Sequence, residues 1–185
     1  MNLYLIRHTT PDVPPGTCYG QSDAGLAASF ADECVAVRAK LPEHWSRVCC
    51  SPLSRCRLLA EQLDSQPAED RRLMELNFGD WEGKAWNDID PHALTPWMND
   101  FVNVACPGGE SYRMLAERVA SFWKDLTSQA HTNVAVVSHA GPIRAVLAHV
   151  LSLPLEHSFR LAIDYGSVSG LRIENKYATV RFVNR

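Results

Sequence analysis

Apolar runs punctuated by turn residues set the first expectations for this chain. Asn2-Leu3-Tyr4-Leu5-Ile6 and Val134-Ala135-Val136-Val137-Ser138 have the length and aliphatic content of buried strands. Residues 2–7, 47–51, 72–76 and 133–138 are predicted as strands. Helical character covers residues 27–41, stopping before Pro42. Further helices are predicted from Pro52 to about Leu63, over residues 110–127, and from Pro142 to about Leu151. Pro52 and Pro142 suit a first helical turn, where the missing N–H costs no hydrogen bond. Residues 11–25, rich in Pro, Gly, Asp and Thr, read as a loop, and Pro107-Gly108-Gly109 reads as a break. Residues 86–101 are mixed helix and loop. Residues 158–163, 168–174 and 178–183 read as closing strands, with turns at Tyr165-Gly166 and Asn175-Lys176. The alternation of the two periods implies an α/β fold: a three-layer α/β/α sandwich around a mainly parallel sheet, in a single domain over residues 1–185.

Composition narrows the function classes. Hydrophobic residues make up 46% and charged residues 21%, ordinary globular values. With a net charge of −3 and no Lys/Arg-rich run, nucleic acid is not an expected partner. No apolar stretch reaches ~18 residues, and the N-terminus lacks the pattern of a secretory signal, so a soluble, cytoplasmic protein is expected. The six cysteines form no C-x-x-C pair and no Cys/His grouping with zinc spacing. They read as reduced core residues, with Cys49 and Cys50 on opposite faces of a strand. No metal site is expected.

Candidate chemistry begins where strands end. Arg7-His8 follows the first apolar run and His139 follows another, and open α/β sheets bind ligands outside the carboxyl ends of their strands. A neutral imidazole can attack phosphorus and form a covalent phospho-enzyme if its other nitrogen donates a hydrogen bond that sets the tautomer. His139-Ala140-Gly141-Pro142 joins a strand to a helix, a setting in which free N–H groups and the helix dipole attract anions. Arg55 and Arg57 follow the second strand. A planar guanidinium there can grip two phosphate oxygens, but the residues lie about 200° apart around a helix and spacing does not choose between them. Glu75 and Glu82, in Met74-Glu75-Leu76-Asn77-Phe78-Gly79-Asp80-Trp81-Glu82-Gly83, are both candidates for a proton donor to a leaving alkoxide.

Taken together, these segments resemble the histidine phosphatase superfamily, which includes the cofactor-dependent phosphoglycerate mutases. The segments Leu5-Ile6-Arg7-His8, Ser51-Pro52-Leu53-Ser54-Arg55, Glu75 to Gly83, Pro107-Gly108-Gly109-Glu110-Ser111 and Val137-Ser138-His139-Ala140-Gly141 stand in that family's order and span almost the whole chain. The resemblance implies a phosphoglycerate mutase-like fold and a phosphomonoesterase without a cofactor. It assigns His8 as nucleophile and Glu75 as the acid. Arg7, Arg55 and His139 then form the phosphate pocket, with the Ala140 N–H as an added donor. Glu82 is left structural, and Arg57 becomes a flanking charge in reach of substrate. The chain departs from the pattern at Thr9, where glycine is usual, and at Pro14, where a pocket asparagine is common. That asparagine's role is expected to pass to Gln21, Thr10 or a backbone amide, or to be lost. The run Pro15-Gly16-Thr17-Cys18-Tyr19-Gly20-Gln21-Ser22-Asp23 and the turn Gly166-Ser167-Val168-Ser169 are similar to α-ribazole phosphatases. This adds Tyr19, Gly20 and Gln21 as candidate substrate contacts and a small phosphorylated molecule as the partner. A broad-specificity sugar or nucleotide phosphatase, a mutase and a non-catalytic phospho-ligand binder are the other readings.

Overall fold

The computed structural model describes residues 1–175 and 177–185 and arranges eight strands in two sheets. In chain order the strands are β1 (Asn2–Arg7), β2 (Pro11–Asp12), β3 (Gly25–Leu26), β4 (Arg47–Cys50), β5 (Ala68–Glu69), β6 (Asn133–Ser138), β7 (Val168–Glu174) and β8 (Tyr177–Phe182). Six of them form the central sheet in the order β5-β4-β6-β1-β7-β8, while β2 and β3 pair separately. The strands β5, β4, β6 and β1 run parallel, and β7 is antiparallel to both β1 and β8. The helices are α1 (Phe30–Arg38), α2 (Ser54–Ala60), α3 (Pro91–Asn99), α4 (Tyr112–Thr127) and α5 (Ala140–Leu151).

Strand alternation divides the core into the expected layers. Leu3, Leu5, Cys49, Val134 and Val136 face α4 and α5, whereas Ile6, Val48, Cys50, Ala135 and Val137 face α1 and α2. Cys49 and Cys50 thus part to opposite faces, and all six cysteines are free and buried. On α4 the buried residues Tyr112, Leu115, Val119, Phe122 and Leu126 recur every three or four positions, the stripe a sheet-covering helix requires. Each fully buried leucine along that seam contributes about 1.5–3 kcal/mol. A third cluster, built on Cys18, Trp81, Ile89 and Cys106, lies in the stretch between α2 and α4 and its connection to the loop after β1.

Several expected elements differ. Residues 72–76 are not a strand: a 3-10 turn covers Arg71–Leu73, and the edge strand is β5. The cause is Arg118, whose guanidinium takes the carbonyls of Arg72, Met74 and Glu75 at 2.6–2.8 Å, so side-chain bonds replace a ladder. Residues 158–163 are likewise not a strand. A 3-10 turn spans Leu155–Arg160, while Arg144 takes the Leu161 carbonyl and Arg7 that of Ile163. The loop over residues 11–25 contains β2 and the start of β3. Pro52 precedes α2, which ends at Ala60, and α5 starts at Ala140, leaving Pro142 inside the first turn. In the turn expected at Asn175-Lys176, Asn175 has a left-handed φ of 49°, and Lys176 lies outside the described residues.

Among the described residues no helix is long and apolar enough to cross a membrane, and no group of three or more His, Cys, Asp or Glu is placed to hold a metal ion. The sheet's register brings the functional ends together. Arg7 pairs with Ser138 and Cys50 with Val137, so His8, Ser51 and His139 emerge side by side from β1, β4 and β6. The His8 N–H donates to the Ser138 carbonyl and the Ser51 N–H to that of Val137, both at 3.0 Å.

Candidate active site

His8 lies at the floor of this junction, 1% exposed. Its Nδ1 is 2.7 Å from the Thr9 carbonyl oxygen, which can only accept. The proton therefore resides on Nδ1, and Nε2 keeps its lone pair. Burial, then the Arg55 guanidinium, hold the imidazole well below its usual pKa, and Arg7 adds to this. Both effects disfavour the charged form, so His8 is neutral at physiological pH.

His139 is fully buried beside it, with the two rings edge to face at 5.0 Å. Burial, followed by the charge of neighbouring groups, lowers its pKa as well. Its Nε2 meets the Ser51 hydroxyl at 2.9 Å and Cys56 Sγ at 3.4 Å. His139 caps α5, and Ala140 occupies the first helical position, where an N–H has no acceptor within the helix.

Two arginines flank the histidines. Arg55 is fully buried in the first turn of α2, and its terminal nitrogens donate to the carbonyls of Ser22 and Gly20 at 2.8 and 2.6 Å. Arg7 donates to the Ile163 carbonyl at 2.6 Å. The Nε–H of each is buried without a partner, as are Thr9 Oγ1 and Ser167 Oγ. Unpaired buried donors are costly in a protein, by about 1–3 kcal/mol each, and two of these residues, Arg55 and Arg7, act on His8 through their charge. Arg57 stands elsewhere: it pairs with Glu61 at 2.6 Å on the exposed side of α2. The structure thus separates the two arginines that spacing left equal.

The two glutamates separate as well. Glu75 receives the Gly141 N–H at 3.2 and 3.3 Å and the Leu76 N–H at 3.0 Å, so the start of α5 holds its carboxyl two residues beyond His139. Gly141 has no room for a side chain, because an added Cβ would strike Glu75 Oε1. Glu82 instead organises the loop after β1. Its carboxylate accepts the N–H groups of Gln21, Ser22 and Phe78 and the Ser22 hydroxyl, at 2.6–3.0 Å. A side chain at Gly20 would collide with that carboxylate and with the Leu76 carbonyl.

The candidates for the missing asparagine's role are largely engaged. The Gln21 side-chain amide donates to the Glu75 carbonyl at 2.9 Å, and the Thr10 N–H donates to Glu33 at 2.9 Å. Gly20 supplies its carbonyl to Arg55. Tyr19 lies over Arg55, with its ring 5.1 Å from the guanidinium carbon, and its hydroxyl meets that of Tyr165 at 2.8 Å. Tyr165 in turn stacks on Arg7 at 3.7 Å and lies 5.4 Å from the His8 ring. The two phenols thus bridge above the arginines.

Sequence reasoning missed Tyr165, Arg118 and Arg144. Tyr165 sits in a turn that carries no periodic signal. Arg118 carried one: it stands three residues after Leu115 and four before Phe122, a charge on the side of α4 that packs inward. Its guanidinium also holds both Glu110 oxygens, at 2.8 and 2.9 Å, and Glu110 accepts the Asn77 N–H at 3.0 Å. The pair therefore fixes the backbone on both sides of Glu75. Arg144 is the charged interruption in the buried run of α5 from Ala140 to Ala148.

Comparison with known proteins agrees with this architecture. The model of the histidine phosphatase superfamily (branch 1) matches residues 3–185. The chain is 29% identical to the adenosylcobalamin/alpha-ribazole phosphatase of Escherichia coli, covering 100% of this chain and 96% of the relative. It is 26% identical to phosphoserine phosphatase 1 of Hydrogenobacter thermophilus, covering 100% and 92%. The crystal structure of the alpha-ribazole phosphatase from Shigella flexneri superposes with a TM-score of 0.92 at 28% identity, over 100% of this chain and 96% of that one. With a match running from β1 through the last strand, the chain belongs to branch 1 of the histidine phosphatase superfamily.

Proposed function

We propose that this phosphomonoester hydrolase works through a phosphohistidine on His8, and that its substrate is α-ribazole 5′-phosphate. The observation that carries the mechanism is the contact of His8 Nδ1 with the Thr9 carbonyl, which leaves Nε2 as the nucleophile, together with the buried, unpartnered Nε–H groups of Arg7 and Arg55. Nε2 attacks phosphorus in line, the N–P bond forms and the P–O bond to the alcohol breaks. Arg7, Arg55, His139 and the Ala140 N–H stabilise the charge spread over the equatorial oxygens. Glu75 gives its proton to the departing oxygen. Its carboxylate then takes a proton from water, which attacks phosphorus, breaks the N–P bond and releases phosphate. Glu82 and Arg57 take no part in these steps.

The substrate reading is supported by alpha-ribazole phosphatases that match the whole chain in sequence and fold. His8→Ala is expected to abolish turnover and acid-labile labelling by a phosphorylated substrate. Labelling retained in that variant would move the nucleophile elsewhere. For the wild type, kcat/KM across α-ribazole 5′-phosphate, O-phosphoserine, 3-phosphoglycerate and sugar phosphates tests the substrate, and a higher value for any of the others would replace the α-ribazole reading.

A further inference from the structure

A cavity of about 210 Å³ is walled by Phe78, Trp86, Trp97, Phe101 and Phe159, with Glu75 also in its lining. Trp86 and Trp97 stack at 6.0 Å and 22°, and Phe78 stands edge-on to Trp86 at 87°. Phe159, 52% exposed at the rim, packs on Phe101 at 4.9 Å. Ala140 and Gly141 form part of the same wall, so the cavity begins at the start of α5, where the Gly141 N–H holds Glu75 within one turn of His139 at the helix cap.

We propose that this cavity seats a planar, apolar ring carried by the leaving alcohol, making the substrate a phosphomonoester of a ring-bearing alcohol. The proposal rests on the assignment of Glu75 as proton donor. A donor must touch the leaving oxygen, so the group attached to that oxygen enters whatever space Glu75 borders. That space is aromatic. Stacked and edge-on rings offer faces and edges to another ring, and the buried Trp97 indole N–H is without a partner among them. Its size agrees. Sites for whole drug-sized ligands span about 300–1,000 Å³, so this smaller cavity takes one part of a substrate, a single ring or a fused pair.

Arg144 bounds the cavity's polar side. Its guanidinium lies 4.9 Å from the Phe159 ring, its Nε donates to the Leu161 carbonyl, and among the described residues no carboxylate forms a salt bridge with it. A carboxylate-bearing alcohol could pair with Arg144, but it would leave the aromatic walls uncovered. The larger share of the lining therefore favours the ring.

A matched pair of esters tests this. Ethyl phosphate and 2-(1-naphthyl)ethyl phosphate release alkoxides of similar basicity and differ in the ring. Burying a ring of that size is expected to raise kcat/KM by about ten- to a hundredfold for the naphthyl ester. Phe159→Ala, a change at an exposed rim position, is expected to cut that preference about three- to tenfold, and Phe159→Trp to restore it. Equal kcat/KM for the two esters in the wild type, or a preference untouched by Phe159→Ala, would overturn the proposal while leaving the phosphatase reading in place. Failure of folded enzyme to hydrolyse either ester or to label His8 would remove both together.

Discussion

Replacing Gly141 with alanine isolates the role of Glu75. An added Cβ would overlap Glu75 Oε1 and crowd Leu115 Cδ1 at 3.2 Å. Since carbon and oxygen approach comfortably only at about 3.3–3.6 Å, the carboxyl must retreat by roughly 1 Å. A displacement of that size costs about 100-fold in a positioned catalytic step, equivalent to about 2.7 kcal/mol of barrier. The loss should depend on the leaving group. An alkyl phosphate needs a proton on its departing oxygen, whereas p-nitrophenyl phosphate expels a stable phenolate. The measurement is kcat/KM, which covers the steps up to formation of the phospho-enzyme and excludes later hydrolysis. Ethyl phosphate is expected to lose about 100-fold and p-nitrophenyl phosphate less than about fivefold. Stability should fall by about 0–3 kcal/mol. Alanine gains up to about 1 kcal/mol in helix propensity, against a local overpacking cost of about 1–3 kcal/mol. Equal losses on the two esters, with an unchanged melting profile, would refute Glu75 as the proton donor. No loss on either would refute the claim that Gly141 constrains its carboxyl.

Arg118→Met should lower stability by about 2–4 kcal/mol in urea denaturation, since it strands the mostly buried Glu110 carboxylate and frees three carbonyls around Glu75. Arg118→Lys should recover little of this, because one ammonium cannot span the acceptors a guanidinium reaches; full recovery would show that charge alone suffices. Stability should also fall on acidification. His8 and His139 are buried with pKa values held below 6.5, so below that pH the unfolded chain binds protons that the folded chain refuses. Their contribution is complete above the unfolded value and is lost as pH falls toward the folded values. Denaturation midpoints for the wild type and His139→Ala between about pH 7 and 5 check this, and identical slopes would count against it.

Much of this protein was legible in its sequence because local chemistry carried the information. The aliphatic runs ending in Arg7-His8 and Ser138-His139 predicted strands that the structure places side by side. The apolar spacing of residues 112–126 marked a sheet-covering helix. The order of five short motifs identified the superfamily. What failed were segments whose backbone partners lie far away. Residues 72–76 and 158–163 have strand-like composition, yet carbonyls in them are taken by Arg118, Arg7 and Arg144, and no pattern of neighbours reveals a side chain arriving from a distant strand or helix.

Within the site, the sequence by itself determined which residue types follow which strands, and with them phosphoryl-transfer chemistry. It left Arg55 against Arg57 and Glu75 against Glu82 to the family resemblance. Tertiary structure places Arg55 buried beside the histidines and Arg57 outward against Glu61, because helical rotation sends residues two apart to different sides. It anchors Glu75 on Gly141 and spends Glu82 on the loop that carries Tyr19. Only tertiary structure assembled the aromatic cavity, whose walls come from five separate positions between Phe78 and Phe159. A strand end announces itself through short-range periodicity, while a cavity is a relation among distant segments, and folding alone brings those together.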